Sequence, residues 1–276
     1  MRLLQEQDIA TAAALSAEAG WNQTLEDWRM LLRLNPQGCF GIDCDGRLVS
    51  TATLVCYGAQ LGWIGMVLTN SNYRRRGFAR TLLLYAIRQA DQLGIESLKL
   101  DATDQGRPLY ESLGFRIEQP VERWKCGDRL GISARRNPAG NARDPHCGNF
   151  VACHHFSSAD LDLEAYGTDR SQMLDALAKR GGVCTDDAGF CFSRPGQRAN
   201  YIGPCIARSP ESARSLIQCC ATPESYWDLL PQNQTALTIA IELGFTPQRK
   251  LTRMVRGRDL RGREAWIYAI AGFELG

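Results

Sequence analysis

The 276-residue sequence lacks several patterns that would assign it to a common class at once. It has no run of about 18 uncharged apolar residues, so no segment is expected to span a membrane. It has neither G-x-G-x-x-G nor a Walker A sequence, which argues against the common nucleotide-binding folds. Its 32 Lys+Arg nearly balance its 30 Asp+Glu, so nucleic acid is not expected as a partner. Glu6 and Asp8 fall where a signal peptide needs its apolar core, so a cytoplasmic location is expected.

The sequence also lacks any C-x-x-C pair, although it contains 11 cysteines. An odd count in a long chain does not predict a disulfide framework, and reduced, mostly buried thiols are expected instead. Histidine is scarce, with three residues that all lie close together. Their spacing from nearby cysteines matches no common zinc module, so no metal is expected. A zinc site built from His146, Cys147, Cys153 and His154 is left open.

The length and the alternation of elements predict an α/β (α+β) chain of two domains. Residues 127–149 are rich in Gly, Pro and Arg and show no sustained apolar period, which is typical of a linker. We therefore expect an N-terminal domain over 1–128, a linker over 129–149 and a C-terminal domain over 150–276.

Apolar periodicity predicts the elements of the first half. Helices are expected over 8–19, from Thr24 as N-cap onward, over 77–93 and over 108–113; strands are expected over 39–43, 48–57, 62–69 and 98–102, with a final hairpin over 115–126.

The first chemical signal lies between strand 62–69 and the long helix, in the segment Tyr73-Arg74-Arg75-Arg76-Gly77-Phe78-Ala79-Arg80. The first N–H groups of a helix are unpaired and carry partial positive charge, which suits a phosphate. Gly77 would allow close backbone approach, and the arginines add donors for phosphate oxygens. The alternative interpretation is a basic, solvated helix start.

This order of strand, Arg-x-x-Gly-x-Ala and helix resembles the pyrophosphate-binding loop of the Gcn5-related N-acetyltransferase (GNAT) superfamily. The resemblance implies a central strand that splays from its neighbour and pairs with the pantetheine arm of acetyl-CoA. In this sequence the backbone of Val67, Leu68 and Thr69 would hold pantetheine. The residues that would hold the pyrophosphate are Arg74, Arg75, Arg76, Gly77, Phe78, Ala79 and Arg80.

A second stretch, which ends in Leu109-Tyr110-Glu111-Ser112-Leu113-Gly114-Phe115, resembles the same family. The resemblance implies that Tyr110 is the general acid that protonates the departing thiolate; a core tyrosine is the alternative. Thr103 stands where the family often has Asn and would contact the cofactor. Asp101, at a strand end, is expected to act as a base or orienter for the amine, or else to cap nearby backbone.

The second half looks like a copy of the first. Trp63-Ile64-Gly65-Met66-Val67 is matched by Tyr201-Ile202-Gly203-Pro204-Cys205, and Leu113-Gly114-Phe115 by Leu243-Gly244-Phe245. The arginine loop is shortened around Pro210, and Ala240 takes the position of Tyr110. Residues 161–170, 252–257 and 268–276 resemble segments of bacterial tandem acetyltransferases with a YitH-like C-terminal domain. Two tandem GNAT-like domains are therefore expected, each a mixed, mostly antiparallel sheet flanked by helices, the second degenerate.

The resemblance implies a GNAT-type N-acetyltransferase that moves acetyl from acetyl-CoA to a primary amine, a small molecule rather than a protein. The alternative is a non-catalytic acyl-CoA-binding or regulatory protein. The second domain is expected to close the acceptor pocket or to form a dimer interface, so the protein would be a monomer or a homodimer.

Overall fold

Residues 1–127 and 158–276 are described by the computed structural model. The helices are α1 (Ile9–Glu18), α2 (Leu25–Leu34), α3 (Phe78–Gln92), α4 (Arg107–Glu111), α5 (Ser158–Tyr166), α6 (Ser171–Ala178), α7 (Pro210–Cys220) and α8 (Gln234–Glu242). The strands are β1 (Arg2–Leu3), β2 (Cys39–Cys44), β3 (Arg47–Tyr57), β4 (Leu61–Thr69), β5 (Ser97–Ala102), β6 (Arg116–Cys126), β7 (Gly182–Thr185), β8 (Gly189–Arg194), β9 (Tyr201–Ala207), β10 (Tyr226–Leu229), β11 (Phe245–Gly257) and β12 (Ile267–Ala269).

The twelve strands in this part of the chain form one mixed, mostly antiparallel sheet. Its order is β1-β2-β3-β4-β5-β11-β6-β10-β9-β8-β7, and β12 pairs with β9 beside this path. At the centre of the sheet, β11 lies between β5 and β6 and pairs antiparallel with both. The predicted sheet in each half is therefore present, but the two sheets are joined into one.

The join is made by an exchange of the last strands. β11 belongs to the second half and pairs with β5 of the first, while β6 of the first half pairs with β10 of the second. The order β7, β8, β9, α7, β10, α8, β11 otherwise repeats β2, β3, β4, α3, β5, α4, β6. The duplication predicted from short sequence matches is thus visible as a repeated order of elements.

The two halves also share an apolar core on one face of the sheet. Trp28 of α2, Trp63 of β4, Leu161 of α5 and Phe190 of β8 belong to the same cluster of buried side chains. On the opposite face each half has a core of its own, one beneath α3 and one beneath α7 and α8. The shared face is where a pocket between the halves can form.

Local sequence explains where several elements begin. The Thr24 hydroxyl accepts the backbone N–H of Asp27 at 3.3 Å, and the Asp27 carboxylate accepts the backbone N–H of Thr24 at 2.6 Å. This capping box starts α2 at the predicted residue. Asp45 and Gly46 both have positive φ, 52° and 73°, as a tight turn between β2 and β3 requires.

One element prediction is wrong. Residues 115–126 were expected to form a hairpin, but residues 116–126 form the single strand β6. Pro120, which suggests a turn, is paired with Thr252 of β11 within the sheet. β6 does not form a hairpin because its antiparallel partner, β11, comes from the second half of the chain.

The expectations about cysteines and membrane segments can be checked over the described residues. Nine cysteines lie there, none of them in a disulfide bond, and five are buried. Across the same ranges no helix has the length and apolar character needed to cross a bilayer. The expected linker 129–149 and the histidines and cysteines at 146, 147, 153 and 154 lie outside the described residues, so the domain boundaries and the open zinc site stay predictions.

Candidate active site

An opening in the sheet separates the outer parts of β4 and β5. Their parallel pairing is limited to Leu61–Ser97, Gly62–Leu98 and Trp63–Lys99. β4 nevertheless continues to Thr69 and β5 to Ala102. Beyond Trp63, the β5-facing edge of β4 therefore has no ladder partner among the described strands, and Val67, Leu68 and Thr69 lie along this edge.

A β-bulge in β4 bends the strand at this point. Thr53 of β3 is paired with Gly65 and Thr51 with Leu68, so two residues of β4, Met66 and Val67, face one residue of β3. Met66 has a φ of 49°, which is rare for a side chain other than glycine. The bulge increases the local twist and directs β4 away from β5, which keeps the opening wide.

The arginine segment follows β4 directly and leads into α3. Arg75, with a φ of 59°, and Gly77, with a φ of 82°, are both left-handed and flank Arg76. Such alternation turns successive backbone N–H groups to one side and forms an anion-binding concavity. Within the described chain, the six N–H groups of residues 75–80 have no hydrogen-bond acceptor.

Positive charge surrounds these N–H groups. Arg74, Arg75, Arg76 and Arg80 are exposed, and none of them pairs with a carboxylate of the described residues. Their contacts are to neutral groups: Arg74 Nε donates to the Thr69 carbonyl, Arg76 lies 5.0 Å from the centre of the Tyr73 ring, and Arg80 donates to Ser112 Oγ. Glu18 interacts electrostatically with Arg74, but the four arginines and the helix dipole leave the loop with a net positive charge.

The start of this loop is tied to α1. The Glu18 carboxylate accepts the side-chain N–H of Asn70 and the backbone N–H of Ser71, both at 2.9 Å. Hydrogen bonds from Ser71 hold the pKa of Glu18 below its usual value, so this carboxylate is charged at neutral pH. The contact fixes the direction in which the arginine segment leaves the sheet.

Tyr110 lies on α4, under the face of the sheet that carries α3. Its ring contacts Phe115 edge to face, with 6.2 Å between ring centres, and it belongs to the apolar cluster that also contains Val67 and Phe78. Burial raises the pKa of the Tyr110 phenol to about 12. Its hydroxyl makes no hydrogen bond to any described residue, so it is a protonated donor that is still available to a ligand.

Asp101 and Thr103 end β5 on the other side of the opening. Both Asp101 carboxylate oxygens accept hydrogen bonds from Arg253 of β11, at 2.9 and 3.1 Å. The side chains of Asp101 and Arg253 are 0% and 4% exposed. Burial raises the pKa of Asp101, and Arg253 opposes that shift. The Thr103 hydroxyl accepts the backbone N–H of Gly106 at 3.1 Å and thereby helps to start α4. Asp101 is thus arranged as an orienting carboxylate rather than an exposed base.

A small polar pocket lies on the other face of β4, between the two halves. Its enclosed space is about 10 Å³, room for about one water molecule. It is lined by Asn22, Gln23, Asp27, Arg123, Arg194, Pro195, Gly196, Tyr201 and Glu274. Gly65 of β4 packs closely against the backbone of Glu274, since a Cβ at Gly65 would lie only 2.9 Å from the Glu274 carbonyl oxygen. This contact places the pocket beside the opening. Sequence reasoning missed this pocket. One usable signal was Glu274, a charged residue among the apolar and glycine residues of the last segment.

The corresponding opening in the second half is filled by the chain itself. β9 and β10 pair only through Tyr201–Tyr226 and Ile202–Trp227, one residue pair fewer than β4 and β5. Beyond that point β12 pairs with β9 through Ile267–Ile206 and Ala269–Cys205. The sequence repeat places Cys205 at the position of Val67, so β12 covers the backbone that is free in the first half.

The second half also has no counterpart of the cationic loop. Eight residues separate β4 from α3, but only two, Arg208 and Ser209, separate β9 from α7. Ser209 caps the helix by accepting the N–H of Ser212, and Pro210 has no N–H to offer. Arg208 lies 3.5 Å from the Glu164 carboxylate. These features support the expectation of a degenerate second copy.

Two family models match the chain, one in each half. The model described as Acetyltransferase (GNAT) family matches residues 4–115, and the model described as Acetyltransferase (GNAT) domain matches residues 159–269. Together they span most of the chain. The chain therefore belongs to the Gcn5-related N-acetyltransferase superfamily, with two GNAT domains in tandem, and it is an acyltransferase.

Individual proteins show the same organisation. A Bacillus subtilis (strain 168) protein described as uncharacterized N-acetyltransferase YitH is 27% identical over 288 residues, which covers 99% of this chain and 97% of that one. The crystal structure of a Pyrococcus horikoshii protein has a TM-score of 0.83 at 19% identity and covers 100% and 95%. A tandem GNAT protein from the clavulanic acid biosynthesis pathway has a TM-score of 0.59 at 15% identity and covers 92% and 95%. The tandem fold is thus shared over nearly the whole chain.

Proposed function

We propose that this acyltransferase moves an acetyl group from acetyl-CoA to a primary amine, and that the amine is a small molecule rather than a protein. The observation that carries the proposal is the opening between β4 and β5, which leads directly to the unpaired N–H groups and unpaired arginines before α3. No comparable combination occurs in the second half as far as it is described, so we assign the reaction to the first half.

The residues at this site fit the chemistry of a CoA thioester. Its pyrophosphate needs hydrogen-bond donors and positive charge, which residues 75–80 supply through the backbone and Arg74, Arg75, Arg76 and Arg80 through side chains. Its pantetheine arm contains amides, and the edge of β4 from Val67 to Thr69 has no strand paired with it on the β5 side, so an extended arm can align along it. The Leu68 and Thr69 carbonyls each already accept one hydrogen bond, from Ser50 Oγ and Arg74 Nε. Thr103 borders the same opening from β5.

Direct transfer requires three things of the chain's own residues. The strand and loop hold the thioester carbonyl in one orientation, which supplies much of the acceleration. Asp101 fixes Arg253, and Arg253 lies 4.6 Å from the centre of the Trp63 ring at the last paired residue of β4. Tyr110 donates its phenolic proton to the sulfur as the C–S bond breaks. Asp101 therefore positions the site and Tyr110 acts on the reacting atoms.

The test begins with binding of CoA, measured by calorimetry. The double change Arg75→Glu with Arg76→Glu is expected to weaken CoA affinity on the order of 100-fold, because two charge-assisted contacts become repulsive. The double change Arg33→Glu with Arg88→Glu is the matched control: both arginines are exposed, and the net charge changes by the same amount away from the loop. Equal affinities for the two double variants would refute the assignment of the loop.

The second arm separates an enzyme from a non-catalytic acyl-CoA-binding protein. Release of CoA from acetyl-CoA is followed over a panel of amines for the parent and for Tyr110→Phe. If the protein is an N-acetyltransferase with Tyr110 as its acid, the parent should turn over an amine and Tyr110→Phe should lose about 10²–10⁴-fold in kcat. Tight binding of CoA without turnover of any amine would support the regulatory alternative.

A further inference from the structure

The second half of the chain brings four thiols together on one face of its sheet. Cys184 of β7 lies directly opposite Cys191 of β8, and Cys191 lies directly opposite Cys205 of β9. Side chains that are directly opposite in an antiparallel pair share a face, with their Cβ atoms about 4.5–5.5 Å apart. The register therefore aligns three cysteines across three neighbouring strands.

Helix α7 adds the fourth thiol from the layer above this row. Cys220 is the last residue of α7, and its Sγ lies 3.5 Å from the Cys191 carbonyl oxygen. The same sulfur forms hydrogen bonds with the Cys184 and Cys191 thiols. Cys191, Cys205 and Cys220 belong to the buried cluster beneath α7, and Cys184 packs against that cluster. Cys220 is thus in contact with thiols on two different strands.

The first half shows that the fold does not require sulfur at these positions. By the order of the repeat, Cys220 falls on Ala86 of α3 and Cys205 falls on Val67 of β4. Ala86 is fully buried in the apolar cluster beneath α3. The same packing position is therefore filled without a thiol, so packing alone does not account for the thiols of the second half.

The thiols differ in acidity. Hydrogen bonds from Cys184 and Cys191 lower the pKa of Cys220, whereas burial raises the pKa of Cys191. The thiolate rather than the thiol is the form that attacks an oxidant. No group of three or more His, Cys, Asp or Glu side chains in the described part of the chain has the geometry to hold a metal ion. The chemistry that fits this cluster is therefore redox chemistry with Cys220 as the nucleophile.

The cluster opens to solvent at the edge of the described sheet. β7 is the last strand in the sheet order, and Cys184 on it is half-buried. Cys220 is 5% exposed, and Cys191 and Cys205 are fully buried. An oxidant little larger than water, such as hydrogen peroxide, therefore approaches the cluster beside Cys184.

Geometry selects which two thiols can join. A disulfide needs Cβ atoms about 3.5–4.5 Å apart, closer than residues that face each other across a ladder. A bond from Cys191 to Cys184 or to Cys205 would pull hydrogen-bonded strands together. Cys184 and Cys220 lie in different layers, on an edge strand and at a helix end, so their sulfurs can meet without a change in the ladder.

We propose that Cys184 and Cys220 are a peroxide-reactive pair, a site of reversible oxidative modification at which two thiols become one disulfide between β7 and α7. Cys220 is the thiol that attacks the peroxide, and Cys184 is the thiol that resolves the product. The site lies in the half that lacks the cationic loop, and the proposal does not depend on acyl transfer.

The steps balance with hydrogen peroxide as the oxidant. The Cys220 thiolate attacks one peroxide oxygen, so that an S–O bond forms, the O–O bond breaks, and hydroxide leaves and takes up a proton to become water. The Cys184 sulfur then attacks the sulfur of the Cys220 sulfenic acid. The S–S bond forms, the S–O bond breaks, and the hydroxyl leaves as water with the Cys184 proton. Two thiols and one peroxide thus become one disulfide and two water molecules.

The experiment treats the folded, reduced chain with hydrogen peroxide, blocks the remaining thiols by alkylation under denaturing conditions, and maps the links by mass spectrometry. Digestion with trypsin and Asp-N places Cys184, Cys191 and Cys205 on separate peptides and leaves Cys219 with Cys220. The peptides of Cys184 and Cys220 are expected to be linked, with a loss of about 2 Da, and to separate again after treatment with dithiothreitol.

Two matched controls accompany this test. Cys219→Ser removes the exposed neighbour of Cys220, and Cys44→Ser removes a half-buried cysteine of β2, the counterpart of β7 in the repeat. Both variants should form the link as the parent does. Cys184→Ser should lose the link and leave a Cys220 sulfenic acid, which dimedone added during unfolding would trap.

Three results would overturn the proposal: no link in the parent, a link that joins Cys191 to another cysteine, or a link that disappears in Cys219→Ser. The urea midpoint gives a second measurement, because a disulfide that fits the native structure stabilises it by constraining the unfolded chain. The midpoint of the oxidised parent should be higher than that of the reduced parent. A lower midpoint would show that the native arrangement does not accommodate the bond, and would equally refute the pair.

Discussion

Asp101 of β5 and Arg253 of β11 form a bidentate ion pair across the junction of the two halves. Both side chains are buried, at 0% and 4% exposure, and the residues are 152 positions apart in the sequence. The same pair borders the opening between β4 and β5. One contact therefore joins the halves and fixes one wall of the candidate active site.

Asp101→Asn is expected to lower the free energy of unfolding by about 3–5 kcal/mol, because it leaves the Arg253 guanidinium buried without a counter-charge. Chemical denaturation at neutral pH measures this. Glu96→Gln is the control, since it breaks the nearby pair of Glu96 with Arg258, whose side chains are 46% and 64% exposed. Its cost should stay below about 1 kcal/mol, and equally small effects would show that the buried pair does not stabilise the join.

Gly77→Ala tests the loop without a change of charge. Gly77 is left-handed and a Cβ there meets nothing within 4 Å, so the change should cost about 1 kcal/mol of stability through backbone strain alone. Gly77 lies within the segment proposed to hold the pyrophosphate, and a side chain there would hinder close approach of the backbone to it, so CoA affinity should fall about tenfold or more. Gly46→Ala has the same conformation and the same free space in a distant turn. It should cost similar stability and leave CoA affinity intact, and a matching loss of affinity would count against the loop.

A titration with CoA should saturate at one molecule per chain. The second opening is covered by β12, and the loop that follows β9 has two residues rather than eight. In the variant Arg75→Glu with Arg76→Glu, the whole CoA titration should shift to weaker affinity, because the chain is expected to have a single CoA site. A residual site of unchanged affinity would show that the second half also binds the cofactor.

The pH dependence of kcat should show no loss from Tyr110 below about pH 11. A phenol that donates a proton acts in its protonated form, which is present below its pKa and lost as the pH rises through it. Because burial raises this pKa to about 12, the form is kept throughout the neutral and mildly alkaline range. The ratio of kcat for the parent to kcat for Tyr110→Phe should therefore be constant from pH 7 to 10. A ratio that falls tenfold across that range would exclude Tyr110 as the acid.

Features that depend on neighbouring residues could be predicted from the sequence. Thr24 and Asp27 cap α2 within three positions, and Gly77 immediately precedes α3. The repeat also emerged from sequence alone, because the short matches keep their order. The caps could be predicted because they depend on residues close in the chain. The repeat could be predicted because its short matches recur in the same order.

Features that depend on distant partners could not be predicted. A sequence pattern does not show that β6 will find β11 rather than turn back, or that the three residues of β12 will fill the second opening. The polar pocket between the halves depends on Gln23 meeting Glu274, 251 positions away. A lone buried glutamine gives no signal of its orphan oxygen until its surroundings are known.

The exchange of β6 and β11 has a consequence for synthesis on the ribosome. β5 can pair with β4 early, but its partner on the other edge, β11, is translated about 152 residues later at the level of Asp101 and Arg253. At about 5–20 residues per second, that is a delay of roughly 8–30 s. Throughout it the first half carries an unpaired strand edge, which is the kind of edge that recruits foreign strands. The nascent chain thus has a period of exposure that two independently closed domains would have avoided.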